Sequence, residues 1–141
     1  MKATVKWEGP GGMALEAVSG SGHKVIMDVS PEAGGQNKGL RPMEMVLLGM
    51  GGCSSFDVIN ILKKSREDVT DCTAELTATR ADTMPKVFTD IHVHFVVTGR
   101  GLSPAKVERA IELSAEKYCS ASIMLSKTAK ITHDFEIIEA K

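Results

Sequence analysis

The stretch from Pro42 to about Lys64 constrains this chain more than any other part of it. Its first half, Met45-Val46-Leu47-Leu48-Gly49-Met50-Gly51-Gly52-Cys53, is apolar at every position. The pattern predicts a long helix opening at Pro42, where the missing N–H costs little because first-turn donors have no partner inside a helix. A helix apolar all round is expected to be buried on every side. The second half turns amphipathic, and Lys63-Lys64 suit the negative end of the helix dipole. Three glycines, Gly49, Gly51 and Gly52, fall within four residues. Each costs about 1 kcal/mol relative to alanine in a helix interior. One compensating reason is close approach of another backbone, because glycine has no Cβ to hold a neighbour away. Gly49, Gly52, Cys53 and Phe56 fall on one helical face, so a second helix or a ligand can come near the Cys53 thiol. The competing reading is a tight core crossing in which Cys53 is a small hydrophobe.

Around this helix the chain reads as an α+β fold in a single domain spanning residues 1–141. Three short strands, at 3–7, 13–18 and 24–29, are separated by glycine turns and form an N-terminal antiparallel meander. Pro31 to Leu40 reads as a loop. After the central helix come two longer strands that form a β-hairpin. Cys72, Ala74, Leu76 and Ala78 share one face of the first, and Ile91, Val93, Phe95 and Val97 one face of the second. Ser103-Pro104 opens a helix as N-cap and first residue, with Val107, Ala110, Ile111, Ser114 and Tyr118 as its apolar stripe. A short helix from about Ser120 to Lys127 and a final strand from Ile131 to Ile138 complete the fold. Aromatic residues are 4% of the chain, so aliphatic residues and eight methionines must fill the core.

A formal net charge of -1 argues against nucleic acid as a partner, since neutralising phosphates needs a Lys/Arg excess. The N-terminus has no apolar core of a signal peptide. No apolar run reaches the roughly 20 residues of a membrane span, so no membrane association is expected and the location expected is the cytoplasm. In that reducing compartment the three cysteines are free thiols, ligands or redox groups.

Cys119 sits between two helices, where the positive end of the second would stabilise a thiolate; the alternative is a buried junction cysteine. Cys72 alternates with Ala74 and Leu76 and reads as core packing. His92 and His94 have the spacing of a metal pair, but no Cys-x-x-Cys or His-x-x-Glu accompanies them, and Asp90 marks their face as polar. No phosphate-binding loop is present.

Arg41-Pro42-Met43-Glu44-Met45-Val46-Leu47-Leu48-Gly49-Met50-Gly51-Gly52-Cys53 resembles the central-helix motif of the OsmC/Ohr family. Tyr118-Cys119-Ser120-Ala121-Ser122 resembles that family's second cysteine motif, and the match is best to its YhfA-like branch. The resemblance implies an intertwined homodimer with central helices packed together and sheets outside. It implies a thiol-dependent peroxidase of organic and other hydroperoxides, with Cys53 attacking peroxide and Cys119 resolving the sulfenic acid to a disulfide. A cellular dithiol would reduce that disulfide, and no metal or organic cofactor is implied. The family's activating arginine after an early Gly-Gly pair is replaced here by Met13. The glutamate expected after the helix-opening proline is replaced by Met43, with Glu44 one residue later. Arg41 and Arg80 are the candidate replacement cations, Glu44 could orient one of them, and the activity expected is slow. The alternative within the same fold is a non-catalytic dimer that binds a small apolar ligand, with Cys53 only lining the pocket.

Overall fold

The computed structural model describes residues 1–141. The chain divides into two compact units, Met1–Leu48 and Gly49–Lys141, and the boundary falls within one helix.

In the first unit, β1 (Ala3–Trp7), β2 (Leu15–Ser19) and β3 (Lys24–Met27) form an antiparallel sheet in that order. Trp7 pairs with Leu15, so β2 starts later than its first apolar residues predict. The third strand stops at Met27 because Asp28 leaves the ladder. Its buried carboxylate accepts hydrogen bonds from the backbone N–H groups of Val29 (2.8 Å), Gln36 (3.0 Å) and Lys38 (3.1 Å). One side chain thus folds the polar segment before the helix back on itself. That segment contains a short 3-10 turn, Pro31–Ala33, and is otherwise irregular as expected. The Gln36 and Lys38 N–H groups hold the Asp28 carboxyl below its ordinary value.

The central helix α1 runs Pro42–Lys64, with the bounds its sequence predicts. The Glu44 carboxylate reaches back to accept from the Arg41 backbone N–H at 2.7 Å, which satisfies one of the orphan donors of the first turn. Within a single chain, α1 is buried on one side only. Met50, Gly51, Ser54, Val58 and Leu62 are buried, at spacings of one face. Met45, Val46, Leu48 and Phe56 are exposed, Phe56 at 66%. The expectation that no segment could span a membrane needs correction. By length and composition alone α1 is long and apolar enough, because Ser54 and Ser55 interrupt the apolar run without adding charge. Its inner face is nevertheless packed against protein, with Gly51 beneath Leu76.

The second unit is built on the sheet β4 (Asp68–Arg80), β5 (Phe88–Arg100) and β6 (Lys130–Glu139). β4 and β5 form the antiparallel hairpin, and β6 lies parallel to β5. Along β5, Ile91, Val93, Phe95 and Val97 are buried. On its other face His94 Nδ1 donates to the Asp134 carboxylate (2.7 Å), and His92 donates to that carboxylate through Nε2 (2.8 Å) and meets Thr132 (2.7 Å). The Asp134 hydrogen bond raises the His94 pKa. That contribution to stability is therefore full below the ordinary histidine value and fades as pH rises through the raised one.

α2 (Pro104–Leu113) is capped by Ser103, whose Oγ accepts from Lys106 N–H at 3.3 Å. Val107, Ala110, Ile111 and Ser114 are buried as the stripe predicts, but Tyr118 is 51% exposed. The reason is a π-helical turn over Ser114–Tyr118, closed by Cys119 N–H on the Ser114 carbonyl at 2.8 Å. The extra residue per turn rotates Tyr118 off the inner face. α3 (Ser120–Leu125) follows directly.

Asp28→Ala is expected to lower the urea midpoint at pH 7. Because the native carboxyl pKa is depressed, Asp28 contributes fully above its ordinary value of 3.8 and loses that contribution as pH falls through the native value. The gap between variant and parent midpoints should therefore close in acid, which denaturation curves at a series of pH values will measure.

Candidate active site

The two candidate cysteines are brought together from distant parts of the chain. Cys53 projects from the middle of α1, and Asp57 stands one turn after it on the same helix. Cys119 comes at the end of the π turn, where the backbone becomes extended and caps α3. The Cys53 and Cys119 sulfurs and an Asp57 carboxylate oxygen all lie within 4.8 Å of one another.

The start of α3 supplies donors to both sulfurs. Cys119 occupies the N-cap position where serine or threonine is usual, and its Sγ accepts from the Ser122 backbone N–H at 3.3 Å. The neighbouring Ala121 N–H faces Cys53. Ser54 Oγ bridges Cys119 Sγ (3.3 Å) and Ser122 Oγ (3.2 Å). Ser114 Oγ donates to Asp57 Oδ2 at 3.1 Å. Every buried side-chain polar atom has a partner.

These surroundings split the two thiols. Burial alone would raise the Cys119 pKa, but the hydrogen bonds from Ser122, Ser54 and Cys53 together hold it below the ordinary thiol value. At Cys53 the Ala121 N–H favours the thiolate. Burial, the hydrogen bond to Cys119 and the charges of Cys119 and Asp57 outweigh it, and the Cys53 pKa is raised. Access runs the other way. Cys119 has no exposed surface, whereas Cys53 is half-buried.

The remaining candidates are held elsewhere by their own partners. The Arg41 guanidinium donates to Asn37 Oδ1 (3.0 Å) and the Gly39 carbonyl (3.2 Å). Glu44 takes the Arg41 backbone N–H rather than its guanidinium. Arg80 Nε donates to the Lys86 carbonyl at 2.8 Å, across the turn of the hairpin. The charged groups that act on Cys53 are Cys119 and Asp57, and neither is a cation. Cys72 is half-buried on β4, and burial followed by the Asp71 charge raises its pKa. Asp57, Ser54 and Ser114 were not among the site residues the sequence pointed to, whereas Ser122 stood in the second cysteine motif. Of the three, Asp57 carried a local signal, its i+4 spacing from Cys53 on a helix.

Residues 35–134 match the family described as OsmC-like protein. The chain belongs to the OsmC-like family. Both cysteine motifs fall within the matched residues. Protein YhfA of Escherichia coli K12 is 48% identical over 140 residues, which cover 99% of this chain and 100% of YhfA. A hypothetical protein from Aquifex aeolicus VF5 has a solved structure with TM-score 0.84 and 27% identity, covering 99% of this chain and 97% of that one. The organic hydroperoxide resistance protein OhrB of Bacillus subtilis is 18% identical, with TM-score 0.63 and 96% of each chain covered, a likeness of fold.

For this OsmC-like chain, removing the Asp57 charge should make Cys53 easier to ionise. Asp57→Asn is expected to shift the pH midpoint of Cys53 alkylation downward, read by mass spectrometry of the Cys53 peptide. Ser54→Ala removes a donor from Cys119 and should move the Cys119 midpoint upward.

Proposed function

We propose that this OsmC-like protein is a cytoplasmic, two-cysteine, thiol-dependent peroxidase that reduces organic and other hydroperoxides as a homodimer. The reading rests chiefly on the approach of the Cys53 and Cys119 sulfurs to within 4.8 Å. A disulfide needs the two side chains to close to bonding distance without moving the backbone far, and this separation leaves that to side-chain rotation.

Cys53 is the sulfur a hydroperoxide can reach. Its thiolate attacks the distal oxygen, the O–O bond breaks, the alkoxide takes a proton and leaves as alcohol, and Cys53 becomes a sulfenic acid. Cys119 then attacks that sulfur, water leaves, and the Cys53–Cys119 disulfide forms. An external dithiol restores both thiols by exchange and becomes a disulfide itself. The low pKa of Cys119 favours its role in the second step, because the thiolate is the attacking form. The raised pKa of Cys53 makes the first step slow at neutral pH. Proteins of the same fold include some named for organic hydroperoxide resistance, among them OhrB of Bacillus subtilis, and this likeness of fold is compatible with the same chemistry here.

The dimer draws support from the outer face of α1. A Cβ added at Gly49 or Gly52 would meet nothing within 4 Å in a single chain, so neither glycine is required by its own fold. Leu48 and Phe56 beside them are 58% and 66% exposed, and covering such a side chain is worth about 1.5–3 kcal/mol. The central helix of a second copy fits this face. The raised Cys53 pKa also favours a second reading, in which the dimer binds a small apolar ligand and Cys53 does no chemistry.

One equivalent of organic hydroperoxide should consume Cys53 and Cys119 together and leave Cys72 reduced, by peptide mass spectrometry after alkylation. Cys119→Ser should trap the sulfenic acid on Cys53, and Cys53→Ser should abolish turnover. No loss of Cys53 thiol with excess peroxide would leave the ligand-binding reading in place. Gly52→Leu should preserve the far-ultraviolet circular dichroism of the chain while dissociating the dimer, since overpacking at an interface costs about 1–3 kcal/mol. Sedimentation showing a monomeric parent protein would end the homodimer reading.

A further inference from the structure

We infer that the reduced Cys53–Asp57–Cys119 cluster is a binding site for one soft divalent cation of the zinc class. The donor set is two thiols and a carboxylate, within 4.8 Å of one another. In a tetrahedral zinc site, bonds of about 2.3 Å to sulfur and 2.0–2.2 Å to oxygen put the donors about 3.5–3.8 Å apart. The observed spacing exceeds that by about 1 Å at most. Thiolate donors select zinc-like ions over magnesium or calcium. Sequence spacing shows only the i+4 pair Cys53 and Asp57 on α1, because the third ligand, Cys119, comes from the end of the π turn.

The surroundings are those of a held ligand set. Ser114 Oγ donates to Asp57 Oδ2, which orients the carboxylate and leaves Oδ1 for an ion. Ser54 Oγ and the Ser122 N–H address the Cys119 sulfur, and the Ala121 N–H faces Cys53. Outer-shell hydrogen bonds of this kind fix the orientation of metal ligands. Three groups that carry negative charge when ionised converge here, and the charges acting on Cys53 include no cation. A divalent ion supplies the missing charge. Asp57 also borders a cleft of about 390 Å³ with Asn60, Lys64 and Tyr118. Three protein ligands leave a fourth position for water.

Binding displaces one proton from each thiol, so affinity rises with pH. Formation of the Cys53–Cys119 disulfide removes two of the three ligands, so the ion and the disulfide exclude each other. The site does not depend on the peroxidase reading: a chain inert to peroxide could bind the ion, and a peroxidase could lack it.

The test is anaerobic titration of the full reduced chain with Co2+ and then Zn2+. The readouts are the near-ultraviolet sulfur-to-cobalt charge-transfer absorption and competition with a chromophoric chelator. One Co2+ per chain with that absorption, displaced by Zn2+, is expected. Binding should be lost in Cys53→Ser and Cys119→Ser, fall about tenfold or more in Asp57→Asn, and be unchanged in Cys72→Ser. The parent protein oxidised with diamide should bind none. Circular dichroism reports folding, and if a cysteine variant unfolds, Asp57→Asn and the oxidised parent protein decide. No charge-transfer absorption in folded reduced protein overturns the proposal. So does binding that survives in Cys53→Ser, in Cys119→Ser or after oxidation. None of these readouts uses peroxide, so a failed peroxidase assay leaves them intact.

Discussion

In the larger unit, α1 comes close to its neighbours because its inward positions are small. Gly51 lies beneath Leu76 of β4, and an added Cβ would stand 2.7 Å from Leu76 Cδ1. Ser54, almost one turn on, is small enough to meet both Cys119 and Ser122. A bulkier residue at either position would force off-rotamer side chains or push α1 outward. The distance between the two cysteine sulfurs is therefore a packing result. It depends on the inward side chains of α1, on the π turn that ends at Cys119, and on the short helix that Cys119 caps.

The same packing explains the electrostatics. Burying a thiolate is costly unless something compensates its charge. Here the compensation is made of hydrogen bonds, with Cys119 receiving most of them and Cys53 facing Asp57 instead. A hydrogen bond to a charged group contributes about 1.5–3 kcal/mol, so several together oppose the burial of Cys119. Cys53 has one such donor against burial, the hydrogen bond to Cys119 and the charges of Cys119 and Asp57. Reach and ionisation are thus assigned to different sulfurs.

The outer face of α1 shows how one composition can arise from two causes. Gly51 is small because a side chain presses on it, while Gly49 and Gly52 touch nothing in a single chain. Both kinds look identical in sequence, and both make the helix apolar all round. Burial within the chain, burial against a second copy and burial in lipid all select the same residues, since each removes apolar surface from water. Composition could not choose among them. The packed inner face and the exposed Leu48 and Phe56 separate the first cause from the others.

What the sequence determined by itself was whatever depends on short-range periodicity and end signals. The bounds of α1, the Ser103 cap, the meander, the hairpin and the buried alternation of Ile91, Val93, Phe95 and Val97 were all legible, because each rests on neighbours within a few residues. Cys53 and Cys119 stood out as candidates by their local settings and by the family motifs around them. Tertiary structure alone decided that β6 runs parallel to β5, that a π turn rotates Tyr118 outward, and that Asp28 ends β3. It also decided that Asp57, Ser54, Ser114 and Ser122 surround the two thiols, while Arg41, Glu44 and Arg80 hydrogen-bond within their own turns. The physical reason is range. A helix or strand follows from contacts between near neighbours, whereas the company a buried sulfur keeps is set by side chains far away in the chain, whose positions no local pattern encodes.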